Sequence, residues 1–157
     1  MEIFPHLHWL NLGSVNVYLL VEEAGLTLID TGIPRSEGKI LAYVRQLGHE
    51  AADIKHIILT HADIDHAGSA KALLEATGAQ GWAGAQSAAL MAEGLAPKHG
   101  FWPIDFFGRW WRYAAVPSAQ LKPLADGQAL PLWGGLTVLF TPGTRPTISR
   151  SSVPAPG

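Results

Sequence analysis

Within six residues, His61, Asp63, Asp65 and His66 offer four side chains able to ligate a metal ion. They sit in Thr60-His61-Ala62-Asp63-Ile64-Asp65-His66-Ala67-Gly68, directly after the apolar run Ile57-Ile58-Leu59. Core packing asks for no such cluster. In a segment leaving a strand end, His61 and Asp63 lie two apart and project the same way, while Asp65 and His66 turn to the other side as a helix begins. One short segment could then serve two neighbouring ions. Imidazole with carboxylate suits zinc, and the carboxylate share also admits iron or manganese. The plainer alternative is a strand-to-helix loop in which an aspartate caps the helix and the histidines are bystanders. Four potential ligands in this order favour the metal site. The chain has no cysteine, so a metal must rest on histidine and carboxylate.

The elements that must position this cluster follow from the apolar pattern. Residues 15–22 (VNVYLLVE) and 26–29 (LTLI) read as adjacent strands joined by a turn at Ala24-Gly25. Asp30-Thr31-Gly32-Ile33-Pro34 ends the second strand. Ser36 then caps a helix over 37–47, with Ile40, Leu41, Val44 and Leu47 on one face and Gly48 closing it. Residues 55–60 read as a strand buried on both faces. A helix over 68–77, a strand over 80–83 and a helix over 86–93 follow, an alternation that indicates an α/β layered domain. Beyond Gly94 the order changes to an aromatic segment, then to 121–132 with a turn at Asp126-Gly127, and to a last strand over 136–140. No internal repeat is visible.

Composition bounds the partners. The chain has 157 residues, 48% apolar and 15% charged, enough for a real core and unlike a disordered sequence. Its net charge of −2 gives no bulk attraction to nucleic acid or anionic membrane. No stretch approaches a membrane-spanning run and the first residues do not form a signal peptide, so a soluble, cytoplasmic protein is expected.

The cluster resembles the signature of the metallo-β-lactamase superfamily, Thr-His-x-His-x-Asp-His-x-Gly after a strand. One ligand differs: Asp63 stands where the second histidine would be, a more anionic and harder half-site. Val15-Asn16-Val17-Tyr18-Leu19-Leu20 is similar to the superfamily's early strand, and Leu28-Ile29-Asp30-Thr31-Gly32 to its structural turn beside the metal loop. The likeness runs from about residue 3 to residue 143, and it implies an α/β fold, an αββα sandwich of mixed sheets flanked by helices, here partial. It further implies a hydrolase in which hydroxide held between two metals, zinc in the first instance, attacks an ester, thioester or lactone carbonyl. On this pattern His61 and Asp63 hold the first metal and Asp65 and His66 the second, with Asp65 also orienting the nucleophile. Asp30, Thr60 and Gly68 are then structural residues beside the site.

Two further features carry alternatives. Asp30-Thr31-Gly32 is also the triplet that bears the catalytic carboxylate of dimeric aspartic proteases, a reading that leaves 61–66 unexplained. Phe101, Trp102, Phe106, Phe107, Trp110, Trp111 and Tyr113 are half of the chain's aromatics within 13 residues. They read either as core, with Phe106, Trp110 and Tyr113 on one face of a helix after Pro103, or as a substrate wall built on Phe107, Trp110 and Trp111. In the second case Lys98, Arg109 and Arg112 stand ready for an anionic group. His6 and His8 read as one face of an early strand, His56 as a strand residue, and His49 and His99 as exposed loop residues.

The resemblance also implies ligands after a Thr-Pro-Gly turn. Here Thr141-Pro142-Gly143 is followed by Thr144-Arg145-Pro146-Thr147-Ile148, and no histidine comes after His99. Each half-site therefore keeps two protein ligands, which predicts weak metal binding and an impaired or non-catalytic remnant. Residues 144–157 hold three prolines, three serines and no acid, a change of composition from 1–143. Codons GGC ACA CGC CCG ACC ATA for residues 143–148 become, with one C restored, GGC CAC ACG CCC GAC CAT A, which reads Gly-His-Thr-Pro-Asp-His. The expectation is an incomplete domain over 1–143, then a disordered or out-of-frame tail over 144–157. Truncation there would leave 136–140 without neighbouring strands and prone to self-association.

Overall fold

The computed structural model describes residues 1–13, 15–97, 112–142 and 146–152. Its first sheet runs in chain order: β1 (Glu2–Phe4), β2 (Leu7–Asn11), β3 (Asn16–Glu22), β4 (Gly25–Ile29), β5 (Ile54–Leu59), β6 (Gln80–Gly84) and β7 (Leu121–Leu124). Strands β1 to β4 pair antiparallel, and β4 to β7 pair parallel. The parallel pairs need crossovers, which α1 (Glu37–Gln46), the pair α2 (Ile64–Ala67) and α3 (Ala70–Thr77), and α4 (Ala85–Glu93) supply.

Alternation along the strands sorts side chains into two cores. Val17, Leu19, Leu26, Leu28, Ile57, Leu59 and Ala83 meet the helices through Ile40, Val44, Leu73, Leu74 and Met91. Leu20, Ile29, Ile58 and Trp82 face the other way and meet Leu124, Leu130, Leu132, Leu136 and Val138. That second core is closed by a three-stranded sheet of β8 (Ala129–Leu130), β9 (Leu136–Pro142) and β10 (Pro146–Ser152), in the order β10-β9-β8. The result is an α/β fold of helices on a mixed sheet on a second sheet.

Several sequence expectations are corrected. The strand over 136–140 does not lack neighbours: β9 pairs antiparallel with β8 on one side and β10 on the other. Extended backbone pairs at an edge through its N–H and C=O groups and needs no apolar period to do so. His6 and His8 do not share a strand face, because His6 takes φ 64° in the turn between β1 and β2. Ser36 stands at the N-cap of α1 but its side chain makes no capping bond. Its backbone N–H instead donates to Ser69 Oγ at 2.8 Å, tying the loop after β4 to the start of α3. Tyr113 lies in a coil rather than on a helix. Phe101, Trp102, Phe106, Phe107, Trp110 and Trp111, with Lys98, His99 and Arg109, fall outside the described residues. Among the described residues no helix is long and apolar enough to cross a membrane.

Candidate metal centre

Parallel β4 and β5 end side by side, and in such sheets ligands gather beyond the carboxyl ends of the strands. Asp30 leaves β4 there with φ 62°, a left-handed conformation uncommon for a residue with a side chain. Its N–H still reaches Ile58 O on β5 at 2.8 Å. The cost of this geometry is offset by what the carboxylate then does.

Asp30 is 5% exposed and both its oxygens are engaged. Oδ1 accepts the Thr60 N–H at 2.9 Å, and the Thr60 hydroxyl lies 2.9 and 2.8 Å from Oδ1 and Oδ2. Oδ2 also accepts the His66 Nδ1–H at 2.8 Å. With the Thr60 proton spent on Asp30, Thr60 Oγ1 is the acceptor for His61 Nδ1 at 2.9 Å. One carboxylate thus fixes the tautomer of both imidazoles and leaves both Nε2 lone pairs for a metal.

Those atoms meet carboxylates at telling distances. His61 Nε2 is 3.3 Å from Asp63 Oδ2, and His66 Nε2 is 3.6 Å from Asp65 Oδ2. Two ligand atoms about 2.1 Å from one tetrahedral ion stand about 3.4 Å apart. Ligand atoms of His61, Asp65 and His66 also lie within 4.8 Å of one another, and the two imidazole centroids are 3.9 Å apart. The residues present therefore fit a metal, with His61, Asp65 and His66 forming the compact group and Asp63 beside His61. Asp63 stands at the N-cap of α2 but makes no side-chain cap bond. Burial disfavours the His66 imidazolium, yet the hydrogen bond and charge of Asp30, reinforced by Asp65 and Asp63, hold its pKa above the ordinary histidine value.

The loop after β4 grips the ligand segment by its backbone. The Thr31 N–H and hydroxyl both donate to His66 O at 2.7 Å, and the Gly68 N–H donates to Gly32 O at 3.0 Å. Ser69 Oγ donates to Ile33 O at 2.7 Å. Gly68 is needed for this approach, since a Cβ there would collide with Ile64 O and come within 2.5 Å of Pro34. Asp30-Thr31-Gly32 thus serves the 60–68 segment, and its carboxylate is not presented for the aspartic-protease role.

Sequence reasoning missed two supports. Ser69, 2% exposed, bridges the two loops. Tyr113, 5% exposed, brings its hydroxyl 3.0 Å from Ala62 O and 3.0 Å from Leu95 O. The aromatic density around Tyr113 marked its segment, but no local spacing pointed it at Ala62.

Comparisons with known proteins agree with this geometry. The profile of the Metallo-beta-lactamase superfamily matches residues 10–156. "Probable metallo-hydrolase YflN" of Bacillus subtilis is 38% identical over 77 residues, 47% of this chain and 29% of that protein. A metallo-beta-lactamase of Cronobacter sakazakii superposes with a TM-score of 0.80 at 30% identity, over 94% of this chain and 56% of that one. The metallo-beta-lactamase SMB-1, solved with 2-mercaptoethanesulfonate, gives 0.77 at 28% identity over 91% and 54%. The chain spans about half the length of these solved structures and less than a third of YflN.

Proposed function

Because the chain belongs to the metallo-β-lactamase superfamily, we propose that its 60–68 segment holds divalent metal, and that the protein hydrolyses an ester, thioester or lactone carbonyl of a small molecule. The observation that carries this reading is the pairing of His61 Nε2 with Asp63 Oδ2 at 3.3 Å and of His66 Nε2 with Asp65 Oδ2 at 3.6 Å. His61 and Asp63 would hold one ion, and Asp65 and His66 the other. When bound, such ions lower the pKa of a water toward neutrality and polarise a carbonyl oxygen. Zinc suits the imidazoles, and the two carboxylates make iron or manganese the competing choices.

The side chains divide the remaining work. Asp30 keeps Nδ1 of His66 protonated and, through Thr60, that of His61, so both rings present Nε2. Asp65, the most open of the four ligands at 45% side-chain exposure, is placed to accept a proton from the attacking water and orient it. Asp63 adds negative charge to the first half-site. Phe107, Trp110 and Trp111 are proposed to line the substrate pocket.

A second reading, metal binding without catalysis, rests on the count of ligands in the 60–68 segment. The cluster supplies two protein ligands per ion, where catalytic zinc usually has three. Metal analysis combined with hydrolysis of a thioester and a lactone separates the two: metal uptake with chelator-sensitive turnover supports the hydrolase, and uptake without turnover supports binding alone. Slow turnover is expected. The out-of-frame origin of residues 144–157 is a separate proposal, tested by resequencing the locus. A restored frame without further apolar strands contradicts it.

A further inference from the structure

We infer that Tyr113 is a positioning residue of the first half-site: its hydroxyl holds the Ala62 carbonyl, and so keeps His61 and Asp63 facing one another. The inference rests on the metal-binding role proposed for the 60–68 segment. Ala62 is the only residue between the two ligands. Side chains two apart project together only while the intervening peptide stays extended. The orientation of the Ala62 carbonyl reports, and restrains, that peptide.

Three observations fasten Tyr113 to this task. Its hydroxyl lies 3.0 Å from Ala62 O and 3.0 Å from Leu95 O, so its single proton is shared between the ligand segment and the loop after α4. Its backbone passes so close to Gly94 that a Cβ there would stand 2.5 Å from Tyr113 O, and the Val116 N–H donates to Met91 O at 3.0 Å. The coil carrying Tyr113 is thus seated on the end of α4 before the ring reaches inward. Ala62 is 1% exposed, which leaves its carbonyl little access to water as a substitute donor.

This support is separate from Asp30, which acts on both imidazoles. Tyr113 touches the backbone of the first half-site and has no hydrogen bond to His66 or Asp65 among those described. The two histidines should therefore respond differently to its loss. Outer partners of metal ligands commonly contribute 10–100-fold in metal affinity.

The test titrates the ¹⁵N-histidine-labelled chain with cobalt(II), following the ring signals of His61 and His66 by NMR in wild type and Tyr113→Phe. The expected result is a His61 midpoint shifted about tenfold to higher cobalt, with the His66 midpoint within about twofold of wild type. Incorporation of 3-fluorotyrosine at position 113, which keeps the donor, should return the His61 midpoint to the wild-type value. Equal shifts at both histidines, no shift at either, or no rescue by the fluorinated ring would overturn the inference. So would a Tyr113→Phe chain that does not fold, since the hydroxyl would then serve the fold as a whole. A wild-type chain whose two histidines ignore cobalt would instead remove the metal-binding role itself.

Discussion

Asp30 Oδ2 accepts the Nδ1–H of His66 at 2.8 Å across 36 residues of sequence, joining the end of β4 to the helix turn that follows β5. Every contact made by this carboxylate is as an acceptor, from the Thr60 N–H, the Thr60 hydroxyl and His66. Asn at position 30 tolerates the left-handed backbone, but its amide N–H₂ would face a donor whichever way it turned. Asp30→Asn is predicted to weaken metal at both histidines by about tenfold or more. It should also cost about 3 kcal/mol of stability, the scale for breaking a buried charged partnership. Cobalt titration and urea unfolding of the variant check both. Unchanged metal affinity would separate Asp30 from the site.

Asp63, proposed as a ligand of the first half-site, offers carboxylate in place of imidazole, which predicts a harder ion preference there than at a pair of histidines. Asp63→His should raise the preference for zinc over manganese by about tenfold. Competition between the two metals, read on the His61 ring signal, measures it. No change in preference would mean that residue 63 is not a ligand.

Gly68 and Gly38 make a paired test of packing. A Cβ at Gly68 would meet Ile64 O and Pro34, whereas a Cβ at Gly38 meets open space on α1. Gly68→Ala is predicted to lose about 2 kcal/mol through overpacking. Gly38→Ala is predicted to gain about 0.5–1 kcal/mol from helix propensity. Urea midpoints decide, and equal effects at the two positions would contradict the tight seating of the 60–68 segment on the loop after β4.

Much of this arrangement was legible in the sequence for a local reason. The four candidate ligands lie within six residues, and the apolar alternation of β3 to β6 assigns the strand faces directly, so both the cluster and the sheet that carries it could be read from short windows. What escaped depends on contacts between distant segments. Tyr113 reaches Ala62 across 51 residues, and Ser69 meets Ile33 across 36. Ser36 stands at the helix N-cap as its sequence position predicts, but its tie through its backbone N–H to Ser69 Oγ spans 33 residues and has no local signal. Strand β10 lacks an apolar period and pairs through its backbone, which periodicity does not detect.

Acid should destabilise the fold partly through His56. Its Nδ1 accepts the Trp82 indole N–H at 3.2 Å. Burial holds its pKa below the ordinary value, opposed by Glu22 and assisted by Lys122. The unfolded chain then binds the proton first, so this contribution is fully present above about pH 6.5 and is lost as pH falls through the lowered folded value. His56→Gln, which keeps an acceptor for the indole, is predicted to lose less stability than wild type between pH 7.5 and 5.5. Equal losses in urea unfolding at the two pH values would contradict it.

The most direct test of the metallo-hydrolase account combines metal analysis and hydrolysis in one experiment. The purified chain, wild type and His61→Ala/His66→Ala, is incubated with zinc or manganese, desalted, analysed for metal and assayed on a thioester and a lactone with and without chelator. The expected result is metal retained by wild type alone and slow hydrolysis abolished both by chelation and by the double substitution. Hydrolysis that survives chelation, or a wild-type chain that retains no more metal than the double variant, would contradict it.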